Sequence, residues 1–471
     1  MYNHVPYYER DDPYQSENGY YPKPNSKKLS ELEVILQIIK NSILCCLPPL
    51  SNVGIDTINL ILISRFSILS DLVAVQLSMI YLNFFGNYLI YGSFKHFTTK
   101  ALKIMDFNEK PFKNLYTKAK YSIYLYLLFV AFPMCLLSYY FLDLVFIDKN
   151  ITIKASQFIH IGSIFMIFNC LKMLNYQVFH ILKQENTING LSTLSIPLHL
   201  CCSLLFLYFL ENKIMCLAYS QLIIELILFT ASTVMIKQSI PGLQTFVSYD
   251  FDENLAKVKQ YIKNTISGAF TNLLESSYLV FILIFSLFLD YTSLVTNIIM
   301  FNIITLLMAA YSGLTTFLSQ FIIPKPINDE KNIFYNCFVF LSIFLSFMMA
   351  TILLVINNNM GLIFNIDDVK FSSELAYLMK YYAVFIFLDC FLAVCDAYIR
   401  VKEIYGDINL VLACVYLLTI LPISLLLCFT FHKGLIGFWI GYFIFIIIHL
   451  VFDLFLITKD ILNENDITES F

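Results

Sequence analysis

Twelve apolar runs succeed one another along this chain, at residues 34–63, 72–94, 121–146, 156–182, 187–210, 214–236, 265–289, 293–323, 334–357, 374–399, 406–431 and 434–457. A helix needs about 20 apolar residues to cross a bilayer core. Each run meets that length, and in lipid a helix is the simplest way for one segment to satisfy all its backbone polar groups. The pattern predicts an all-α integral membrane protein with twelve transmembrane helices, numbered here as spans 1 to 12. Most runs are separated by only a few polar residues. The longer connections are 95–120, 237–264 and 358–373.

The polar residues between the runs predict orientation. With the N-terminus placed inside, the inner segments carry 21 Lys and Arg and the outer segments carry 6. Positive residues gather on the cytoplasmic side, so both termini are expected to be cytoplasmic. The polar residues within the runs predict a repeat. Asp56, Asp71 and Asn83 map onto Glu275, Asp290 and Asn302 at one offset of 219 residues. Leu60/Leu279, Phe66/Phe285 and Ile80/Ile299 keep the same register. Two six-span halves are expected, related by a pseudo-twofold axis along the membrane normal, because an even number of spans makes both halves enter from the same side. The division is a disordered cytoplasmic tail (1–32), an N-terminal bundle (33–236), a cytoplasmic linker (237–264), a C-terminal bundle (265–457) and a cytoplasmic tail (458–471). The first tail is rich in Tyr, Pro, Ser and charge, a composition that does not bury a core.

Composition agrees. Of 471 residues, 58% are hydrophobic and 14% charged, whereas a soluble domain is about half apolar and a quarter charged. A net charge of −4 gives no sign of a nucleic-acid partner. The twelve cysteines all fall in apolar runs without Cys-x-x-Cys spacing, so they read as small buried hydrophobes and not as disulfides or metal ligands. The first thirty residues are polar, so no cleavable signal peptide is expected.

Three acids at membrane depth are the candidate chemistry: Asp56 in span 1, Glu275 in span 7 and Asp389 in span 10. A carboxylate there costs about 2.5–3.5 kcal/mol on insertion scales and marks an ion or substrate path by default. Such an acid can load a proton, or bind Na⁺ or an organic cation while ionised; the alternative is an acid hydrogen-bonded between helices for packing. Pro48 and Pro49 precede Asp56 and remove two backbone donors, which should bend span 1. Asn83, Asn169, Asn175, Gln177, Tyr278, Asn302 and Tyr311 are candidate cavity-lining residues. Singly, each is as readily a helix-contact residue. Span 4 also carries His160, Lys172 and His180 beside its amides, enough polarity to imply a face turned to a water-filled cavity or to other polar helices. Glu225 in span 6 is a weaker acid candidate, and Asp396 is expected to pair with Arg400 one turn on.

No phosphate-cradling glycine loop, zinc-ligand pair at helical spacing or nucleophile elbow is present. Neither an enzyme nor a cofactor is expected, and this chain alone has no ATP-driven pump. Several stretches are similar instead to the multidrug and toxic compound extrusion (MATE) family of secondary antiporters. An acid, an Arg eleven residues on, then Asn, Tyr and Pro occur as Asp389, Arg400, Asn409, Tyr416 and Pro422. "KGLIGFWIGYF" resembles the family's Gly-Leu-x-Gly-x-Trp-x-Gly segment, with Gly434, Gly437, Trp439 and Gly441. The acid-bearing seventh span, Gly313 in the eighth, and Asp56, Arg65, Asp71 and Leu72 around the first complete the resemblance in order. The sequence departs from the family at Ser64, where Gly is usual, at Val280, where eukaryotic members often carry a second Glu, and in the loops after spans 2 and 8.

The resemblance implies a monomer of two bundles that alternates access across a central cavity. It would exchange small organic cations for H⁺ or Na⁺, in the plasma membrane or an endomembrane, with lipids as its other partners. Two rival readings remain: a flippase of the same broad fold that moves a lipid-linked sugar, and a membrane scaffold or receptor descended from a transporter.

Overall fold

The computed structural model describes residues 31–104, 109–145, 148–182, 184–240, 243, 255–322, 328–402 and 413–469. Residues 1–30 of the expected tail, and 241–242 and 244–254 of the expected 237–264 linker, lie outside them. Every element among the described residues is helical. Eleven helices are long and apolar enough to cross a membrane; the twelfth span, span 7, shows its apolar part over Ser277–Ser286 of a longer helix.

Span 1 is one helix, Glu31–Phe66, that runs through both prolines. Span 2 is Leu69–Leu82, a π-helical turn at Asn83–Tyr88, then Leu89–Ile104. Such a wide turn re-aims the side chains around it and recurs at functional sites; here it begins on Asn83. Spans 3 and 11 also widen, over Leu127–Ala131 and Tyr416–Ile420. In each, a proline follows within the next turn, Pro133 or Pro422. A proline lacks the N–H that a regular helix needs there, and the wide turn takes up the mismatch. Spans 4, 5 and 6 are Lys149–Ile181, Glu185–Phe209 and Lys213–Ser239. Asp148 and Asn212 cap spans 4 and 6 by accepting from Asn150 N and Met215 N. Spans 7, 8 and 10 are Leu255–Ser286, Tyr291–Ile322 and Val369–Lys402. Span 9 is Asn328–Ile356 with a short continuation at Met360–Ile363, and span 12 is Leu435–Glu469.

The helices pair in a pattern that recurs six spans on. Span 4 packs on spans 2 and 6, and span 10 packs on spans 8 and 12. Span 5 packs on span 6, and span 11 on span 12. Between the halves, span 1 lies along span 8 and span 2 along span 7.

Small residues set how closely these helices approach, as expected where packing and not water exclusion drives association. At Gly313 of span 8, an added Cβ would run into the backbone of Cys45 and Cys46 in span 1. The Cys46 thiol donates across the same seam to the Ala310 carbonyl, 2.8 Å away. In the second seam the Tyr261 hydroxyl donates to the Ser93 carbonyl at 3.0 Å. Phe129, Leu205, Phe347 and Leu418 are among the large apolar side chains left on the outside. Such a surface belongs against lipid and would aggregate in water.

Candidate functional site

In the N-terminal half, Asn52, Asp56 and Asn59 share one face of span 1, one turn apart. The Asp56 carboxylate takes side-chain hydrogen bonds from Asn83 and Gln221, so spans 1, 2 and 6 meet there. The pairing of Asp56 with Asn83 joins two of the residues picked out in the sequence. A neutral chain leads away from it. Asn59 donates to Gln221 Oε1 at 3.2 Å and meets His199 Nε2 through its own oxygen at 2.8 Å. His199 contacts Ser203, and Ser203 contacts Ser220 at 2.8 Å.

Lys172 reaches this cluster from span 4 and is fully buried. Its Nζ lies 2.9 Å from Glu225 Oε1 and 2.7 Å from Oε2. It also donates to Asn52 Oδ1 at 3.2 Å, and it sits 5.8 Å from the centre of the Tyr176 ring. A charge at this depth persists only when paired and hydrogen-bonded, and this one is both.

Three other candidates on span 4 are placed differently. Asn175 is closed on every side: it accepts from Tyr116 at 2.9 Å and donates to Ser232 at 3.0 Å and Thr233 at 3.1 Å. It ties spans 3, 4 and 6 together. Gln177 accepts from Thr98 of span 2 at 2.8 Å. Asn169 is half-buried.

In the C-terminal half, Asp389 is buried between two phenols. Tyr382, two turns earlier on span 10, donates to its Oδ2 at 2.5 Å, and Tyr311 of span 8 donates to the same oxygen at 2.9 Å. The two hydroxyls lie 3.2 Å apart. Tyr311 was legible in the sequence as a candidate; Tyr382 was not, although a tyrosine seven residues before an acid shares its helix face. Glu275 lies on the helix of span 7, and its side chain is outside the described residues. Asn302 is buried in span 8, and its Oδ1 has no hydrogen-bond partner among the described residues.

Tyr278 belongs to a different cluster from Asp389. Its hydroxyl meets Ser424 at 2.7 Å and the Phe438 carbonyl at 3.0 Å, and its ring stacks on Tyr442 and Phe445. Gly441 makes that cluster possible, since a Cβ there would fall 2.6 Å from the Tyr278 hydroxyl. The Gly-rich segment of span 12 is thus a packing device between spans 7, 11 and 12.

Asp396 contacts span 12. His449 Nε2 lies 3.6 Å from Asp396 Oδ1 and 3.7 Å from Asp453 Oδ1, all three buried. Among the described residues they are the one group of acids, histidines or cysteines close enough to share an ion. The Arg400 side chain expected to pair with Asp396 is outside the described residues.

Solved structures resemble this arrangement of helices over nearly its full length. The eukaryotic MATE transporter AtDTX14 superposes with a TM-score of 0.78 at 14% identity, covering 90% of this chain and 96% of that one. The chain has the fold of a MATE transporter. The Vibrio cholerae MATE transporter VcmN, solved as a point mutant, gives 0.73 at 12% identity over 92% of this chain and 98% of its own. The MATE transporter DinF-BH, solved in complex with rhodamine 6G, gives 0.68 at 13% identity over 93% and 98%. No family model matches the sequence, and no curated protein matches it significantly. The MATE fold is preserved here at 12–14% identity to these structures. It confirms the expected class, an all-helical multi-pass membrane protein with the architecture of a transporter.

Proposed function

We propose that this chain is a secondary active antiporter that exports small organic cations in exchange for H⁺ or Na⁺ by alternating access. One observation carries the reading. Each half holds a carboxylate, half-buried Asp56 in one and buried Asp389 in the other, whose hydrogen-bond partners, among the described residues, are neutral: amides for Asp56, phenols for Asp389. Among those residues no fixed cation is bonded to either acid, so its charge is open to a mobile one. An acid that holds a proton or an organic cation, but not both, couples two fluxes by competition. Glu275, whose side chain lies outside the described residues, is proposed as a third coupling acid by its match to Asp56 in the sequence.

The side chains favour this over a flippase for lipid-linked sugars. A pyrophosphate group needs free positive charge in the cavity, and the buried cation nearest Asp56, Lys172, is tied to Glu225. The transporter is expected to act as a monomer with both termini cytoplasmic.

The test is efflux of rhodamine 6G, the compound captured with DinF-BH, from vesicles holding the purified protein under an imposed pH gradient or Na⁺ gradient. Gradient-dependent efflux, lost in the Asp56→Asn and Asp389→Asn variants, is the expected result. Binding of the dye with no response to either gradient would point to a receptor and overturn the antiporter.

A further inference from the structure

We propose that Lys172 is a built-in counter-cation of the N-terminal half: held by Glu225, it leaves Asp56 as the one exchangeable acid there and limits that site to one positive charge at a time. This rests on the antiporter reading above and specifies its substrate class as monovalent cations.

The ammonium is completely provided for. A lysine has three donors, and Lys172 directs them among the Glu225 carboxylate, the Asn52 oxygen and the face of Tyr176. Asn52 is itself fixed, because its amide nitrogen contacts Met173 Sδ at 3.3 Å. Asn52 also stands one turn before Asp56 on the same face of span 1. The ammonium is therefore held close enough to act on Asp56 electrostatically, yet bonded to other oxygens.

The charges around Asp56 then add simply. Span 4 brings Lys172, with Cys170 and Tyr176 beside it; span 6 brings Glu225 and Gln221; span 5 brings His199, which meets Asn59; span 2 brings Asn83. Lys172 and Glu225 cancel. With Asp56 protonated the cluster is neutral, and with Asp56 ionised it carries one negative charge. A proton or a monovalent cation closes that balance. A divalent cation leaves an excess positive charge in a poorly solvated site, where charge imbalance is far costlier than in water. Without Lys172 the cluster has two acids and suits a dication.

The experiment compares two probes, tetraphenylphosphonium with one charge and methyl viologen with two. Each is exchanged for protons by the purified full-length protein in vesicles. The wild type should favour the monovalent probe. Lys172→Met should move the ratio of the two rates by about tenfold or more toward the divalent probe, a factor of ten being a modest electrostatic effect in a buried site. Lys172→Arg should keep the wild-type ratio. The double variant Lys172→Met, Glu225→Gln restores the charge balance without restoring the ion pair, so it should recover the preference for the monovalent probe. A lysine that served only packing would not be rescued in this way. If Lys172→Met does not fold, Lys172→Gln, which removes the charge and keeps an amide donor, is read in its place and should show the same shift toward the divalent probe. An active wild type whose ratio ignores these substitutions overturns the role of Lys172 and leaves the antiporter standing. A wild type that exchanges neither probe for protons or for Na⁺ overturns both.

Discussion

Asp71 and Asp290, 219 residues apart in the chain, hold matching ion pairs. Asp71, at the start of span 2, binds Lys154 at the start of span 4, with 2.5 Å between Oδ1 and Nζ. Asp290, just before span 8, binds Lys370 at the start of span 10, with 2.6 Å between Oδ2 and Nζ. Each aspartate also accepts from a nearby serine, Ser67 or Ser293. The same clamp thus joins span 2 to span 4 and span 8 to span 10.

The two clamps should differ in worth. The Asp71 side chain is 10% exposed and that of Asp290 is 48% exposed, and solvent screens the second pair more. Asp71→Asn is expected to cost about 1 kcal/mol, read as a lower melting temperature in detergent, and Asp290→Asn is expected to cost less. Partial burial works against ionised Asp290, but hydrogen bonds from Lys370 and Ser293 outweigh it and hold the carboxyl below its ordinary range. A folded pKa below the unfolded value of about 3.9 stabilises the protein above that pH. That contribution is lost as pH falls through the folded value. Melting curves of wild type and Asp290→Asn should therefore converge in acid and separate toward neutrality. Equal separation at every pH would show that Asp290 acts through its shape and not its charge.

The repeat makes a claim about Glu275. Asn83 bonds Asp56, and by the same offset in the sequence Asn302 is expected to serve Glu275. A protonated carboxyl is a donor, and the buried Asn302 oxygen is an acceptor. Glu275→Gln should fold, since Gln is nearly isosteric and removes a costly charge. Its pH-driven efflux, per amount of protein, should drop at least about tenfold, the loss expected from removing one buried charge interaction. Asn302→Leu should slow the same efflux. If superposing the halves in an experimental structure leaves Asp56 and Glu275 at unrelated depths, the repeat does not describe this site.

At Asp389 the two tyrosines should not be equal. Tyr382→Phe removes the 2.5 Å bond and Tyr311→Phe the 2.9 Å bond. A hydrogen bond to a charged group contributes about 1.5–3 kcal/mol, so each change should lower transport, Tyr382→Phe the more. Thermal unfolding and efflux measured together will show whether the loss lies in the fold or in the site. Equal rates for wild type and both variants would make the phenols spectators.

Gly313 tests the seam. A side chain there must push spans 1 and 8 apart, because it meets backbone and not a movable side chain. Gly313→Val should cost about 1–3 kcal/mol, the usual cost of overpacking, and should reduce transport more than Cys46→Ala, which removes only a thiol hydrogen bond. Unchanged efflux in Gly313→Val would mean that this contact is absent in the working cycle.

The sequence made some of this legible and hid the rest for physical reasons. Polar residues are scarce in apolar helices, so Asp56, Asn83 and Asp389 stood out singly, and the match of Asp71 to Asp290 is reflected in their equivalent ion pairs. Partners across helices were another matter. The Lys172–Glu225 pair depends on spans 4 and 6 lying side by side, and no periodicity within either span announces it. Tyr382 was missed because tyrosine is common here, with 31 in the chain. Asn175 drew notice by its polarity, but only the packed helices show that both its donors and its oxygen are engaged in holding three spans together.

The two seams between the halves have a kinetic consequence. Their polar contacts are light: the Cys46 thiol on a backbone carbonyl in one, and Tyr261 with its neighbouring serine in the other. At the end of span 1, Arg65 adds two long bonds of 3.4 Å to the carbonyls of Leu362 and Ile363, in the open. The pairs Lys154–Asp71, Lys172–Glu225, Lys370–Asp290 and Lys370–Glu374, and His449 with Asp396 and Asp453, each lie within one half. Every 1.4 kcal/mol added to a barrier slows its crossing about tenfold. Halves fastened by salt bridges would have to strip and re-solvate charges at each turnover. In the proposed alternating-access cycle, carbon surfaces, a thiol and a phenol would let the two halves slide past each other with only small steps in energy, which would leave the loading and unloading of the acids as its slower part.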